Sequence, residues 1–504
     1  MSEKMNFTTA IAKLAVVFWE TDLRVLTVAG VIAICLEFLV QRLILHPLAK
    51  YPGPLLGRCT TLYAAYHAWN GSLHTDMYRC HQKYEISAYS ANTIKSKAYQ
   101  AMVHGATNTL TIRHKGEHAR RRKLLSLAFS EARMMSYENI IQRNINSLCQ
   151  NLELCAKSQG ATLNLSPQSD YYAFDVMSEV IFGMQCNALK DKTYRFVTEA
   201  LTESNVRVST LVQSSILGLG KIDRYLFPAS IQARNRFLSF IGSLLRGRAK
   251  ATFQADGDVL SFLETAKGTD GDSRLSKAEI RAECVTLVVA GSDTTSAALS
   301  STLFYLSRNE HAYKRLCREI RDRFQSRDQI RIGPQLNSCT YLRACIDEAL
   351  RMSPPAGGAL WREIAPGGMT VNNLTLPPGL DVGVGIYSLH HNEEYHPEPF
   401  KYRPERWIVG EFGVSKESLE LARSAFVPFS SGPRGCLGKG FAYHQLTLVL
   451  ANIICGFEFY AADRDTNSAY VLKHPGGDEE FFLKDHITGA KDGPILNFKM
   501  RENL

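Results

Sequence analysis

The sequence predicts one large, mostly α-helical domain behind an N-terminal membrane anchor, and three observations carry that expectation. Residues 23–45 form one apolar run, residues 276–309 run at helix length without a proline, and no linker, repeat or low-complexity tract divides the remainder of the 504-residue chain. With 45% hydrophobic residues the chain can bury a large core. The expected division is residues 1–47, anchor and lead-in, and residues 48–504, a single globular domain.

The anchor is "LRVLTVAGVIAICLEFLVQRLIL", close to the ~20 residues that a bilayer crossing needs, with Glu37 as its one acidic interruption. No small-residue cleavage site follows, which argues against a removed signal peptide. Arg42 at its C-terminal end and Lys50 and Arg58 beyond it come with no acid among them, whereas Glu20, Asp22 and Arg24 mix signs at its N-terminal end. Positive charge stays in the cytosol, so a single-pass protein with its large domain facing the cytosol is expected, in the endoplasmic reticulum membrane. The following "HPLAKYPGP" holds three prolines and reads as a stiff, non-helical lead-in.

A net charge of +9 suits an anionic membrane surface or an acidic protein partner. No Lys/Arg block is interleaved with aromatics, so nucleic acid is not an expected partner. The twelve cysteines are scattered without a C-x-x-C pair, as in a reduced, cytosol-facing domain. Core packing accounts for eleven of them. Cys436 asks for more, because it sits in "FSSGPRGCLGKG", just before an apolar helix. A phosphate loop does not fit there: five residues separate Gly432 from Gly438, and Lys439 is followed by Gly440 rather than Ser or Thr.

The long run opens on a capping box, Ser276 with Glu279, flanked by Leu275 and Ile280 as a hydrophobic staple. Its apolar face, Val285, Val288 and Val289, is broken by Ala290-Gly291-Ser292-Asp293-Thr294-Thr295. Gly inside a helix costs about 1 kcal/mol relative to Ala, and a buried Asp is costly, so the helix is making room for something. In "YLRACIDEALRMSPP", a helix ended by Pro354, Glu348 and Arg351 share one face at i, i+3. Alone that pair reads as a solvated surface bridge. "FKYRPERWIVG" then supplies Arg406.

The order Ala-Gly-x-Asp-Thr-Thr, Glu-x-x-Arg, Pro-Glu-Arg-Trp, Phe-x-x-Gly-x-Arg-x-Cys-x-Gly resembles the cytochrome P-450 superfamily, the haem-thiolate monooxygenases. The resemblance runs from about Tyr51 to the C-terminus and matches at Phe429, Gly432, Arg434, Cys436 and Gly438. "HPLAKYPGP" and "EHARRRKLLSLAFS" are similar to membrane-bound enzymes of filamentous fungi that tailor secondary metabolites. The fold implied is mostly α with small β-sheets (α+β), its long central helix lying over the haem. Cys436 would be the axial thiolate ligand of a haem b iron, its pKa lowered by a helix starting near Leu437. The resemblance makes His118, Arg122, Arg362 and Arg434 propionate contacts. It makes Glu348, Arg351 and Arg406 a triad that locks the cysteine loop. Asp293 and Thr294 would be the acid–alcohol pair that delivers protons for oxygen activation. Electrons would come from NADPH through a flavoprotein reductase, with cytochrome b5 as a further partner.

Substrate would lie over Val289, Ala290 and Gly291 and over Ala356, Gly357, Gly358 and Ala359. Neither stretch carries a charge, and both are rich in small residues, which implies a wide pocket for an apolar, neutral, polycyclic molecule. One segment departs from the family. After "HQKY" the relatives continue with Gly-Pro, a strand and an Asn-containing turn, whereas this chain reads "EISAYSANTIKSKAYQAMVHGATNT". A truncated region and a genuine loop variant both fit, and the departure bears on the small sheet and the pocket roof, where Lys95, Lys97 or Arg113 would hold an anion. Three functions stay open: a monooxygenase, an oxygen-independent haem-thiolate isomerase or dehydratase, and a non-catalytic haem-binding membrane protein.

Overall fold

In a computed structural model of the protein, the described residues are 23–84, 92–103, 105–158, 160–250, 257–266, 275–371, 374–462, 470–474 and 477–501. The chain divides into two compact units, residues 1–63 and 64–504. In the first, helix α1 (Leu23–Val40) continues through one π-turn (Gln41–Leu45). Residues 25–45 are long and apolar enough to cross a membrane, with mean hydropathy 2.1 and none of the span buried. After the prolines, the Arg58 guanidinium gathers the carbonyls of Leu43 and Ala49 at 3.3 and 2.6 Å.

The second unit is built around α2 (Lys277–Arg308). Its capping box forms as the sequence predicts, with Ser276 N donating to Glu279 Oε2 at 2.9 Å, and Leu275 and Ile280 are both buried. Thirty-two residues at ~1.5 Å each make it about 48 Å long. It packs along the helix Leu165–Phe182 and touches α3 (Thr340–Met352) and α4 (Lys439–Gly456). Helix α4 is apolar on every side, and such a helix belongs in a core; Leu446, Leu448, Val449 and Leu450 are all buried.

The sheets are small and peripheral. Strand Arg362–Ile364 lies between Thr93–Lys95 and Asp381–Val382, and Ile495–Met500 lies between Thr162–Asn164 and Phe457–Ala461; every pairing is antiparallel. The divergent segment therefore does join a sheet, through residues 93–95, while its first residues, 85–91, lie outside the described ones. It is also tied to α2: Thr109 N and Oγ1 donate to the buried Glu283 at 2.7 and 2.8 Å, and Asn108 donates to Thr286 at 2.7 Å. Arg121, buried beneath it, bonds the Thr107 carbonyl at 2.9 Å and pairs with Glu117 and Glu279.

Candidate functional site

The Cys436 loop turns sharply. Ser430 and Gly432 both adopt positive φ, +57° and +66°, and Gly suits such a conformation because it lacks Cβ. The loop closes on a 2.7 Å bond from Cys436 N to the Phe429 carbonyl, and the Phe429 ring packs 5.1 Å from that of Tyr443. Cys436 is exposed, whereas the other cysteines of residues 64–504 are buried or half-buried. Helix α4 begins at Lys439 with Gly438 as its N-cap, two positions beyond the start expected from sequence. Desolvation by the surrounding loop atoms raises the thiol even though the residue keeps an exposed face, and the amides of Gly438 and Lys439 and the cations Arg122 and Lys439 oppose that.

Cations converge on one side of this loop. His118 and Arg122 come from the helix Lys115–Ala128, Arg362 from its strand and Arg434 from the loop itself. Burial, then Arg434 and Arg122, take His118 down to about 4. Burial, then Arg362 and Arg122, take Arg434 down to about 10. Arg434 Nη1 is buried without a partner. Arg362 spends Nη1 on the carbonyls of Leu360 and Trp361, at 3.0 Å each. Among the described residues no carboxylate pairs with any of the four. Three half-buried guanidinium groups without a counter-charge, one with a buried unpartnered nitrogen, beside a neutral imidazole fit a ligand with anionic arms, and a haem with its propionates is one.

Glu348, Arg351 and Arg406 are not a surface bridge. Their side chains are 0%, 0% and 4% exposed. Arg351 grips Glu348 with two bonds of 3.0 and 2.9 Å, and Arg406 Nε donates at 2.8 Å. Trp407 Nε1 and Arg403 N add two more at 3.0 Å. Burial works against ionisation, yet Arg351 and Arg406 bring the carboxyl down to about 2. The sequence offered no sign of His390. Its carbonyl accepts from Arg351 Nη1 and its Nε2 accepts from Val427 N, both at 3.0 Å. The triad thereby reaches the backbone two residues before Phe429.

On α2, Thr294 Oγ1 donates to the Ala290 carbonyl at 2.6 Å, and Ala290 is exposed between the buried Val288 and Ser292. Asp293 makes no bond to Thr294. Its Oδ2 accepts from Asn205 and Thr488, each at 3.0 Å. Burial, then nearby Asp170, push this carboxyl up to about 6 against those donors. It lines a polar cavity of about 20 Å³ together with Asp170, Ser296 and Lys491, room for about one water. Lys491 closes the cavity by pairing with Asp170 and donating to Ser296 Oγ at 3.0 Å.

The expected pocket needs correction at its glycines. A Cβ on Gly291 would stand 2.4 Å from Met177 Cε, one on Gly357 3.1 Å from His74 Cβ, and one on Gly358 2.6 Å from Asp485 Oδ2. Smallness there lets backbone approach neighbouring side chains and adds no width over the site. Val289, Ala356 and Ala359 are half-buried. Lys97 and Arg113 do not hold an open anion site, since both pair with Glu363, at 3.4 and 2.9 Å.

Residues 60–475 match the family model described as cytochrome P-450. The curated cytochrome P-450 monooxygenase apf8 of Gibberella fujikuroi is 62% identical over 368 residues, 73% of this chain and 100% of that protein. PoxM of Penicillium oxalicum, with the same description, is 45% identical over 487 residues, 91% of each chain. AtnE of Emericella nidulans is 41% identical over 500 residues, 92% of this chain and 94% of its own.

Proposed function

Because the chain belongs to the cytochrome P-450 family and is a monooxygenase of fungal type, we propose that it oxidises an apolar, bulky and neutral small molecule in secondary metabolism. Electrons come from NADPH through a flavoprotein reductase, with cytochrome b5 as an auxiliary donor. The anchor is residues 1–47, single-pass in the endoplasmic reticulum membrane, with residues 48–504 facing the cytosol. The observation that carries the reading is the arginine cluster beside Cys436 that no carboxylate among the described residues neutralises.

Haem b bound here supplies the oxygen chemistry: one oxygen atom enters substrate and the other leaves as water. The chain's own residues do the rest. Cys436 Sγ would hold the iron, its loop kept in shape by the 2.7 Å bond from Cys436 N to the Phe429 carbonyl. Arg122, Arg362, Arg434 and His118 would take the propionates. Glu348, Arg351 and Arg406 keep the loop in place through His390. Thr294 Oγ1 and the Asp293 carboxyl hold protons; with a pKa of about 6 the carboxyl exchanges its proton readily near neutral pH. Asp170 and Lys491 line the same small cavity, the side from which that carboxyl would regain its proton. Val289, Ala290, Ala356 and Ala359 offer apolar contact, and substrate affinity comes mainly from buried area.

The test is to incubate membranes carrying the protein and a reductase with candidate polycyclic metabolites and read products by mass. A product gaining one oxygen only when NADPH and O2 are both present supports the reading. An isomerised or dehydrated product formed without either overturns it, and so does the absence of haem.

A further inference from the structure

The hairpin of strands Lys484–His486 and Thr488–Ala490 packs its second strand against α2. Its turn is one residue, Ile487, at φ +75°, and a β-branched residue takes that conformation only where its surroundings impose it. Here they do. Asp485 Oδ1 accepts from Ile487 N at 3.2 Å, Asp485 N donates to the Gly71 carbonyl at 2.8 Å, and His486 Nδ1 donates to that of Ala68 at 2.9 Å. On the other strand Gly489 N donates to the Pro355 carbonyl at 2.7 Å. The backbone around Thr488 is thus pinned from both sides, and its hydroxyl is pinned as well. Asn205 Nδ2 donates to Thr488 Oγ1 at 2.9 Å and to Asp293 Oδ2 at 3.0 Å, and Thr488 Oγ1 donates to the same Asp293 oxygen at 3.0 Å. A hydroxyl has one proton to give; with Asn205 donating to the oxygen, that proton is left for Asp293.

Resting on the reading that Asp293 delivers protons, we propose that Thr488 is a positioning residue for that delivery: its hydroxyl, oriented by Asn205, holds the Asp293 carboxyl at the wall of the one-water cavity and away from Thr294 Oγ1. The three groups come from three separate elements, α2, the helix Phe196–Gln213 and the hairpin, so the carboxyl is aimed by tertiary contacts and not by its own helix. Both donors favour its ionised form. Burial and Asp170 act against them, and Lys491 acts with them. His486, the other titratable group lining the cavity, is held down by burial. Thr488 therefore governs how readily the acid takes up a proton as well as where it points.

Thr488→Val removes the donor and Thr488→Ser keeps it. In the full-length, haem-loaded protein the protonated Asp293 carboxyl is followed by infrared difference spectroscopy through a pH titration, with Asp293→Asn as the blank. Losing one hydrogen bond to the ionised form should raise the proton affinity of Asp293 about tenfold or more in Thr488→Val, while Thr488→Ser stays near wild type. Asn205→Ala, a second variant on a different element, should move the midpoint in the same direction. The proposal is overturned if Thr488→Val titrates as wild type does. It is also overturned if Thr488→Ser shifts as far as Thr488→Val, since packing of the methyl group and not the hydroxyl is then at work. An unmoved midpoint in Asn205→Ala overturns the orienting role given to that amide. If Asp293→Asn leaves NADPH consumption as well coupled to product as in wild type, the reading that Asp293 delivers protons has itself failed. That failure is separable, because the infrared midpoint is read without turnover.

Discussion

Replacing Glu348 with alanine tests whether the buried triad holds the cysteine loop. The carboxylate accepts five hydrogen bonds, from Arg351 twice, Arg406, Trp407 and the Arg403 amide. Its loss leaves two guanidinium groups, 0% and 4% exposed, without a counter-charge. Breaking one buried pair costs about 3–5 kcal/mol, and the upper end applies because two cations are orphaned. Linkage gives a similar magnitude. The carboxyl moves from 4.5 unfolded to about 2 folded, and at ~1.4 kcal/mol per unit that is about 3 kcal/mol. Because the folded pKa is the lower one, this stability is complete above about 4.5 and is lost as pH falls through about 2. Set against a total of about 5–15 kcal/mol, the variant should keep its helices yet fail to close the loop. Denaturant midpoints and the haem-to-protein ratio from the pyridine haemochrome measure both effects, and less than about a tenth of the wild-type haem is expected from a loss above ~1.4 kcal/mol. A Glu348→Ala protein with full haem and an unchanged midpoint would refute the reasoning.

Cys436→Ser should abolish the red-shifted carbon monoxide band of the reduced protein while circular dichroism stays unchanged; a retained band would make another residue the ligand. Thr294→Ala should bind haem normally but divert NADPH consumption to peroxide, measured as the ratio of peroxide to product. For Asp293, folded pKa about 6 against 3.8, stability is fully present below the unfolded value and is lost as pH rises through about 6. Asp293→Asn should therefore flatten the stability profile between those values and slow turnover, read by thermal melts and product formation at several pH values. Gly291→Ala should destabilise by less than about 1 kcal/mol, because the atoms it meets are the flexible end of Met177, and thermal melts check this.

Sequence alone determined the family and the residue types of the site, because those requirements are local. The thiolate loop, the helix interruption at Gly291–Thr295 and the Glu-x-x-Arg pair each declare themselves within a few positions. The apolar N-terminal helix is equally local, since its length and hydropathy are read from consecutive residues. What faces what was decided only by tertiary structure. At i, i+3, Glu348 and Arg351 read as a surface bridge, and burial arrives only with residues 390 and 403–407, tens of positions away. Asp293 sits beside Thr294 in sequence but turns to Asn205 and Thr488. Glycines that read as pocket width are close approaches to Met177, His74 and Asp485. Lys95, Lys97 and Arg113 were alike in sequence, and the position of one carboxylate, Glu363, separated them. Electrostatics acts over a few ångströms of space and takes no account of distance along the chain, so the charges that matter to the site became legible only when the strands paired.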